Sequence, residues 1–540
     1  MPFFKADDLQ AWTGGKWSKL DPSRKPEIRG FSNDSRNIGK DFAFVAIRAE
    51  RDGHDFAADA AANGATAIIA ERELDVEIPT LVVKDSLKAF QRIAKMHRLR
   101  FEHPVVGITG SCGKTSTKEM LAKLTAWKNP LITEKNFNNE IGVPLTLTRI
   151  DLRQNQLAIV EAGVGAPDQM RELAAMIEPD IAIITNVGLS HLERFEQVGN
   201  VAKEKAVLPA HAAEGGWCLM HHNLLGWKAF DELKCKKAIV APADAPEFKA
   251  DLVFRYAVSD IENDFAAIDM CIEGGDEYYF EVPQMTNGML ENALLAIAAT
   301  LMLGGREEQM AQTLEGFAPL PMRGGIVETD AAKYYLDCYN ASPTSMKDAL
   351  ARFAKISESA EKRAYVLGTM AELGLASHPH HKDIGAHIQP YSNDVAVLVG
   401  AFADVYKTGL LENGWDEKNI FVFDTAEAAK AKVAELGGFV FVKGSRVCAL
   451  EKALPDAVLE KLSAAPAKRG EPEEEPEEET PPAPANEAEE SDGGDVEDED
   501  SDEFEDADAC EDDGGDESED SEDFEESEES DDDEDERERI

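Results

Sequence analysis

The sequence predicts an α/β protein of three domains followed by an acidic tail, and three observations carry that expectation. Short apolar, β-branched runs alternate with helical stretches over most of the chain, the pattern of parallel sheets covered on both faces. A length of 540 residues suits about three ordinary domains. The formal charge of −51 is unevenly held. Residues 471–540 contain 41 of the 106 acidic side chains but two of the 55 Lys and Arg, which leaves the first 470 residues at −12. The expected divisions are 1–103, 104–322 and 323–468 for the domains and 469–540 for the tail.

Taken in order, the first segment holds "DFAFVAI" as a strand and "DFAADAAANGATAIIAE" as helix, turn and strand. At about residue 104, "VVGIT" is a short apolar strand that enters a glycine loop, and "KTSTKEMLAKLTAW" continues as a helix. "QLAIVEAG" and "DIAIITNVG" are two further buried-type strands, each followed by a polar turn. Beyond about 322, "AYVLGTM", "DVAVLVG", "NIFVF" and "GFVFVKG" alternate with the helical stretches "SPTSMKDALARFAK" and "TAEAAKAKVAEL". The tail, rich in Pro and acids and almost free of apolar residues, cannot bury enough surface to offset chain entropy and is expected to be disordered. Composition favours a solvating extension and leaves open an electrostatic arm for an unidentified basic partner.

Seven cysteines at 112, 218, 235, 271, 338, 448 and 510 show no C-x-x-C spacing, which argues against a structural zinc site and a disulfide scaffold. The N-terminus lacks a basic start with a long apolar core, and no apolar run nears the roughly 18 residues of a membrane span. A cytoplasmic monomer is expected, with no membrane insertion and no nucleic-acid partner.

In open sheets of this kind ligands sit beyond the carboxyl ends of strands, so the residues that follow the strands are the informative ones. "VVGITGSCGKTSTKEML" has the strand–glycine loop–helix context of a phosphate-binding loop, although Ile108 stands where the common G-x-x-x-x-G-K-[ST] pattern needs a glycine. Backbone N–H groups of such a loop converge on phosphate oxygens at a helix N-terminus. Lys114 would reach the terminal phosphates and the Thr115 hydroxyl would ligate magnesium. A plain strand-to-helix turn is the alternative. Glu161 in "AIVEAGVGAPDQM" and His191 in "TNVGLSHLERF" each follow an apolar strand, so each suits a metal site above the sheet. Alone, either is equally a helix cap or an exposed loop residue. Lys203 and Lys205 in "NVAKEKAVLPA" read by spacing as a solvated helical face. Asn136, Asn138 and Asn139 in "TEKNFNNEIGVPLTLTRI" suit either a grip on a polar substrate or a cluster of Asx turns.

These motifs are not independent. "TGSCGKTS", "NFNNEIGVP", "EAG", "TNVGLSHLERF", "AKEK", "LDCYNASPTSM", "VLGTMAELG" and "VKGSR" occur in one chain in this order. The order resembles that of the Mur ligases, cytoplasmic ATP-dependent amide ligases of peptidoglycan synthesis, from about residue 30 to 455. The family loop resembles T-G-[ST]-x-G-K-[TS], which "TGSCGKT" matches, so the loop is intact. "NFNNEIGVP" with "YNASP", and the lack of a D-N-P-R-type motif, resemble the members that add D-alanyl-D-alanine to UDP-N-acetylmuramoyl-tripeptide. Folylpolyglutamate synthases and siblings adding other residues are disfavoured by that pair, and a non-catalytic binding protein by the presence of Lys114, Glu161, His191 and Lys205 together.

The resemblance implies a uridine-nucleotide-binding first domain, a central P-loop ATPase sheet and a Rossmann-like last domain. It implies ATP at Thr109, Gly110, Ser111, Cys112, Gly113, Lys114, Thr115, Ser116, Asn292, Arg323 and Asp337. Magnesium falls to Thr115, Glu161, His191 and a carbamylated Lys205, and Lys114, His191 and Lys205 form the catalytic set. The acceptor substrate falls to Ser35, Arg36, Asp52, Gly53 and His54, and the remaining substrate contacts to the three asparagines with Asn340 and Ser345. Three departures stand out: Gly288 in place of a histidine, Thr369 in place of an aspartate, and Leu336 in place of one of two adjacent aspartates. Because the ATP loop is in the middle segment and other groups come from the last, closure of the domains is expected to assemble the site.

Overall fold

Three sheets organise the chain in the computed structural model, which describes residues 2–189, 192–261, 264–391 and 393–464. His191 and the acidic tail 469–540 lie outside the described residues. The first lobe holds β1 (Lys16–Ser18), β2 (Gly30–Ser32), β3 (Phe42–Val45), β4 (Ala67–Ala70) and β5 (Thr80–Val82), ordered β1-β5-β4-β3-β2. Strands β2 to β5 pair in parallel and β1 is antiparallel at the edge.

Helix α1 (Ser86–Arg98) leaves this lobe and docks it on the next. Asp85 caps its start by accepting the Lys88 N–H. Near its other end the buried Arg98 guanidinium donates to the carbonyls of Ile177 and Glu178, both at 2.7 Å. His97 bonds the Ile150 carbonyl at 2.8 Å, and Gln91 donates to the Glu140 carbonyl at 3.1 Å. These carbonyls need a partner once water is excluded, so α1 fixes the first lobe against the second by satisfying them.

The central lobe is a nine-stranded sheet of β6 (Val105–Thr109), β7 (Leu131–Ile132), β8 (Ala158–Glu161), β9 (Ile181–Ile184), β10 (Trp217–His221), β11 (Lys236–Pro242), β12 (Leu252–Ile261), β13 (Phe265–Ile272) and β14 (Glu277–Pro283), ordered β14-β13-β12-β11-β10-β9-β6-β8-β7. The strands from β7 across to β12 are parallel. Every residue of β6, β8 and β9 is buried, as the unbroken apolar runs require when helices cover both faces. On one side lie α2 (Lys114–Leu124) and α6 (Asn287–Met302); on the other lie α4 (Gln169–Ile177) and α5 (Val198–Ala210), with the short α3 (Gly142–Leu147) beside them.

The sheet is not wholly parallel, as the sequence reading expected. β12 to β14 form an antiparallel extension whose segments show partial, one-sided burial rather than buried runs. That half-exposed pattern is what an antiparallel ribbon with one wet face produces.

The last lobe has β15 (Gly325–Glu328), β16 (Ala332–Asp337), β17 (Arg363–Gly368), β18 (Val395–Val399), β19 (Ile420–Phe423) and β20 (Gly438–Lys443), ordered β15-β16-β20-β17-β18-β19, parallel except for β15. Leu336 is 1% exposed in the core of this lobe, so an apolar side chain suits its register on β16. Helices α7 (Pro343–Ile356) and α8 (Ser377–His387) pack on this sheet's face around Phe353, Tyr365 and Phe441. Among the described residues no helix is long and apolar enough to cross a membrane.

His381 on α8 holds the loop that follows β17. Its Nε2 accepts the Met370 N–H at 2.8 Å, and its other ring nitrogen faces the Ser377 carbonyl at 2.6 Å. The ring is fully buried and stacked on Phe402 at 4.4 Å, and burial pulls its pKa from 6.5 down to about 4. A histidine held neutral in the fold stabilises it fully above the unfolded pKa, and that contribution falls as pH drops from 6.5 towards 4, by at most about 1.4 kcal/mol per pH unit. Urea unfolding followed between pH 7 and 4.5 should show this loss in the wild type, and His381→Gln should be less stable at pH 7 with a flatter dependence on pH.

Candidate active site

A cavity of about 530 Å³ opens between the central and last lobes, at the carboxyl ends of their parallel strands. Its walls include Ser111, Cys112, Gly113, Lys114, Thr115 and Ser116 from the β6–α2 turn, with Asn136, Asn138, Glu161 and Asn292 from the rest of the central lobe. The hinge and last lobe add Arg323, Asp337, Asn340 and Ser345. Sequence positions as far apart as 111 and 345 thus meet at one place.

The glycine loop is shaped by close contacts that a side chain would block. Gly110 has φ +155°, and a Cβ there would sit 1.8 Å from the Thr185 hydroxyl oxygen. Gly113 has φ +82°, in the left-handed region that favours glycine, and a Cβ would sit 2.2 Å from Asn292 Oδ1. The loop is also pinned by Asn186, whose carbonyl accepts the Ser111 N–H at 3.1 Å and whose side-chain oxygen accepts the Cys112 N–H at 2.9 Å. Lys114 begins α2, and its ammonium donates to the Gly110 carbonyl at 2.8 Å. Thr109 is fully buried behind the loop at the end of β6.

Glu161 ends β8 with 2% exposure and is held from three directions. The Thr115 hydroxyl donates to Oε2 at 3.0 Å, Asn138 Nδ2 donates to Oε1 at 2.8 Å, and Thr133 Oγ1 accepts its N–H at 2.9 Å. One carboxylate and one hydroxyl are therefore fixed at the first turn of the loop helix.

Lys203 and Lys205 separate by burial. Lys203 is exposed on α5, whereas Lys205 is 3% exposed. Burial first, and then the Lys114 ammonium nearby, lower the Lys205 pKa from 10.5 to about 7. Glu204 beside it turns the other way and accepts the backbone N–H groups of Asp168 and Met170 at the start of α4.

The asparagine segment divides. Asn136 and Asn138 line the cavity, while Asn139 Oδ1 accepts the N–H groups of Ile141 and Gly142 and starts α3. Asn139 thus makes an Asx turn that leads into α3.

In the last lobe Ser342 and Ser345 form a reciprocal capping box at the start of α7, with Pro343 at its first position. The Ser342 hydroxyl lies 3.4 Å from Cys112 Sγ, which brings the α7 N-terminus to the glycine loop. Asp337 pairs with the buried Lys443 at 2.5 Å, and Lys443 also reaches the Asn340 carbonyl at 3.2 Å. Burial pushes the Asp337 carboxyl up and the Lys443 ammonium holds it back. The Arg323 guanidinium lies over the Tyr339 ring, 3.9 Å from its centre.

The five first-lobe residues do not line this cavity. Arg36 is exposed and paired with Asp34 at 2.9 Å, while Ser35 is buried. His54 is buried and its ring is spent inside the lobe: Nδ1 on Asp52 at 2.5 Å, and Nε2 accepting the Glu71 N–H at 2.9 Å. That network, with Gly53 in the turn between, lowers the Asp52 carboxyl to about 2, led by its bond from the His54 N–H.

Cavity residues that escaped residue-level reading include Asn186, Ser342, Lys443, Asp348 and Arg352. The first three lie inside motifs quoted above, so strand ends in those motifs were the available signal. Asp348 and Arg352 carry none.

Three family models match successive parts of the chain. Residues 27–104 match the model described as Mur ligase family, catalytic domain; residues 108–300 match Mur ligase middle domain; residues 322–446 match Mur ligase, glutamate ligase domain. The UDP-N-acetylmuramoyl-tripeptide–D-alanyl-D-alanine ligase of Escherichia coli K12 is 30% identical over 436 residues, covering 78% of this chain and 92% of that protein. The enzyme of the same name from Bacillus subtilis is 29% identical, covering 81% and 94%. Among solved structures, MurF from Acinetobacter baumannii superposes with a TM-score of 0.72 at 26% identity, covering 85% of this chain and 100% of that one.

The loop geometry generates a direct prediction. Gly110→Ala and Gly113→Ala should each weaken binding of a fluorescent ATP analogue at least about tenfold, because the new Cβ displaces Thr185 or Asn292, a loss of about 1.4 kcal/mol or more. Gly199→Ala, where nothing lies within 4 Å, should leave it unchanged.

Proposed function

Because this chain belongs to the Mur ligase family, we propose that it is an ATP-dependent amide ligase that joins D-alanyl-D-alanine to UDP-N-acetylmuramoyl-tripeptide in peptidoglycan precursor synthesis. The observation that carries the reading is the meeting of the glycine loop, Lys114, Thr115 and Glu161 with Asn340, Ser345 and Lys443 of the last lobe around one cavity. A site made from two lobes suits a reaction that joins two substrates to a nucleotide.

The chemistry is carboxyl activation. A carboxylate oxygen of the tripeptide attacks the γ-phosphorus of ATP, ADP leaves, and an acyl phosphate forms. The amine of D-alanyl-D-alanine then attacks the acyl carbon, the amine proton is released, and phosphate departs as the amide forms. The loop N–H groups and the Lys114 ammonium offset charge on the transferring phosphoryl group. Asn292, Arg323 and Asp337 serve the rest of the nucleotide. Asn136, Asn138, Asn340 and Ser345 face the substrates, and Ser35 and Arg36 serve the uridine nucleotide. Asp52, Gly53 and His54, tied into one turn of the same lobe, serve that substrate too.

Magnesium fits the residues present. Among the described residues no group of three or more His, Cys, Asp or Glu is placed to hold a metal. The Thr115 hydroxyl and Glu161 carboxylate are instead hard oxygen donors 3.0 Å apart, which suits a cation that takes one or two protein oxygens and completes its shell with phosphates and water. Bound there, magnesium neutralises phosphate charge. Lys205 is a buried amine with a pKa near 7, so a large neutral fraction is available to add to carbon dioxide, releasing a proton and leaving a carbamate. That converts a cation into an anionic oxygen ligand. His191 keeps the metal role implied by the family resemblance. The domain limits 1–103, 104–322 and 323–468, a cytoplasmic location and a monomeric state complete the reading.

Phosphate release is the direct test, with ATP, magnesium, the tripeptide nucleotide and D-alanyl-D-alanine supplied singly and together. Release should need both substrates and fall by several orders of magnitude in Lys114→Ala. Release without the dipeptide, or none with any tripeptide, would contradict the reading. Lys205 gives a second expectation: stripping carbon dioxide should slow the wild type, bicarbonate should restore it, and Lys205→Met should respond to neither.

A further inference from the structure

Helix α7 carries Asp348, Arg352 and Lys355 on one stripe, at the four- and three-residue spacings that put side chains on one face. All three cross to the central lobe. Asp348 Oδ1 accepts the Asn287 N–H at 3.0 Å and Oδ2 accepts the Gly288 N–H at 2.9 Å. These are the first two N–H groups of α6, which have no partner inside their own helix. Thr286 caps the same helix from within the lobe by accepting the Met289 N–H. A carboxylate at a helix N-terminus gains from both the open donors and the helix dipole. Arg352 grips the strand end just before α6, donating from Nη1 to Gln284 Oε1 at 3.0 Å and from Nη2 to the Gln284 carbonyl at 3.1 Å. Lys355 pairs with Asp260 at 2.7 Å, an exposed contact of small weight.

What α6 carries makes this contact more than a seam. One turn beyond Gly288, the buried Asn292 stands so close to the glycine loop that Gly113 must lack a Cβ. The path is therefore short and rigid: a carboxylate of the last lobe, the first turn of α6, the Asn292 side chain, the loop. We propose that Asp348 and Arg352 are positioning residues for nucleotide binding, which set the start of α6, and with it Asn292 against the loop, when the last lobe docks. The proposal rests on ATP binding at this loop. Docking of the lobe and binding of the nucleotide are then coupled, and each strengthens the other by the same factor.

The test uses the full chain with magnesium and a non-hydrolysable ATP analogue, its dissociation constant read by calorimetry. Asp348→Ala and Arg352→Ala should each weaken the analogue about tenfold, within the range of ordinary coupling between sites. The dissociation constant of UDP-N-acetylmuramoyl-tripeptide should stay at its wild-type value, and the melting temperature should fall by no more than the few degrees that loss of a helix cap costs. In turnover, KM for ATP should rise with kcat at saturation kept. Asp348→Asn, which retains one acceptor, should recover part of the loss. In an Asn292→Ala background, Asp348→Ala should add little, because its effect runs through that side chain. Unchanged analogue binding in Asp348→Ala, equal weakening of both ligands, or full additivity with Asn292→Ala would overturn the proposal. Should Asp348→Ala not fold, Arg352→Ala and Asp348→Asn decide by the same criteria. A wild type that binds no nucleotide would instead overturn the functional reading itself, and with it this inference.

Discussion

The structure depends on how closely the backbone of the β6–α2 turn can approach its neighbours. At Gly110 and Gly113 there is no room for even one carbon beyond Cα, because Thr185 and Asn292 occupy it. That contact brings the end of β9, the start of α2 and the side of α6 onto the same few atoms. Everything that follows is hung from it. Thr115 falls beside Glu161, Lys114 lies over the loop, and Lys205 is buried near enough to Lys114 to feel its charge.

The two lobe contacts that flank this centre are built differently. The first lobe is held by α1 through buried donors to backbone carbonyls, which have no alternative partner once water is gone. The last lobe is held by charged side chains of α7, of which Asp348 reaches the start of α6 and Arg352 the strand end before it. Half-buried carboxylates and guanidinium groups can exchange such partners for water at lower cost than fully buried carbonyls can. The seam between central and last lobes, which contains the cavity, is therefore the one suited to open and close during turnover.

Much of the fold was legible in the sequence. The buried parallel strands announce themselves as apolar runs, and the loop announces itself by glycines between a strand and a helix. The antiparallel strands β12 to β14 were missed because half-exposed segments carry a weak alternation rather than a run. The site was legible where a residue follows a strand, as Glu161 does, and not where a distant helix supplies it. Asp348 looks in sequence like any acid on a solvated helical face, and only the tertiary fold sets it on the α6 N-terminus. Lys203 and Lys205 differ by two positions and by nothing else local, so burial alone tells them apart. Likewise His54 and Asn139 sit in polar motifs, yet their side chains are spent on backbone groups nearby.

The central claim is that this site activates a carboxylate as an acyl phosphate before the amine attacks. Tracing oxygen tests it most directly. With the terminal carboxylate of the tripeptide labelled with heavy oxygen, one labelled atom should appear in the inorganic phosphate released, because that oxygen bridges carbon and phosphorus in the intermediate and leaves with phosphorus. Phosphate free of label, with amide product still formed, would contradict the account and require a route in which ATP cleavage never touches the carboxylate.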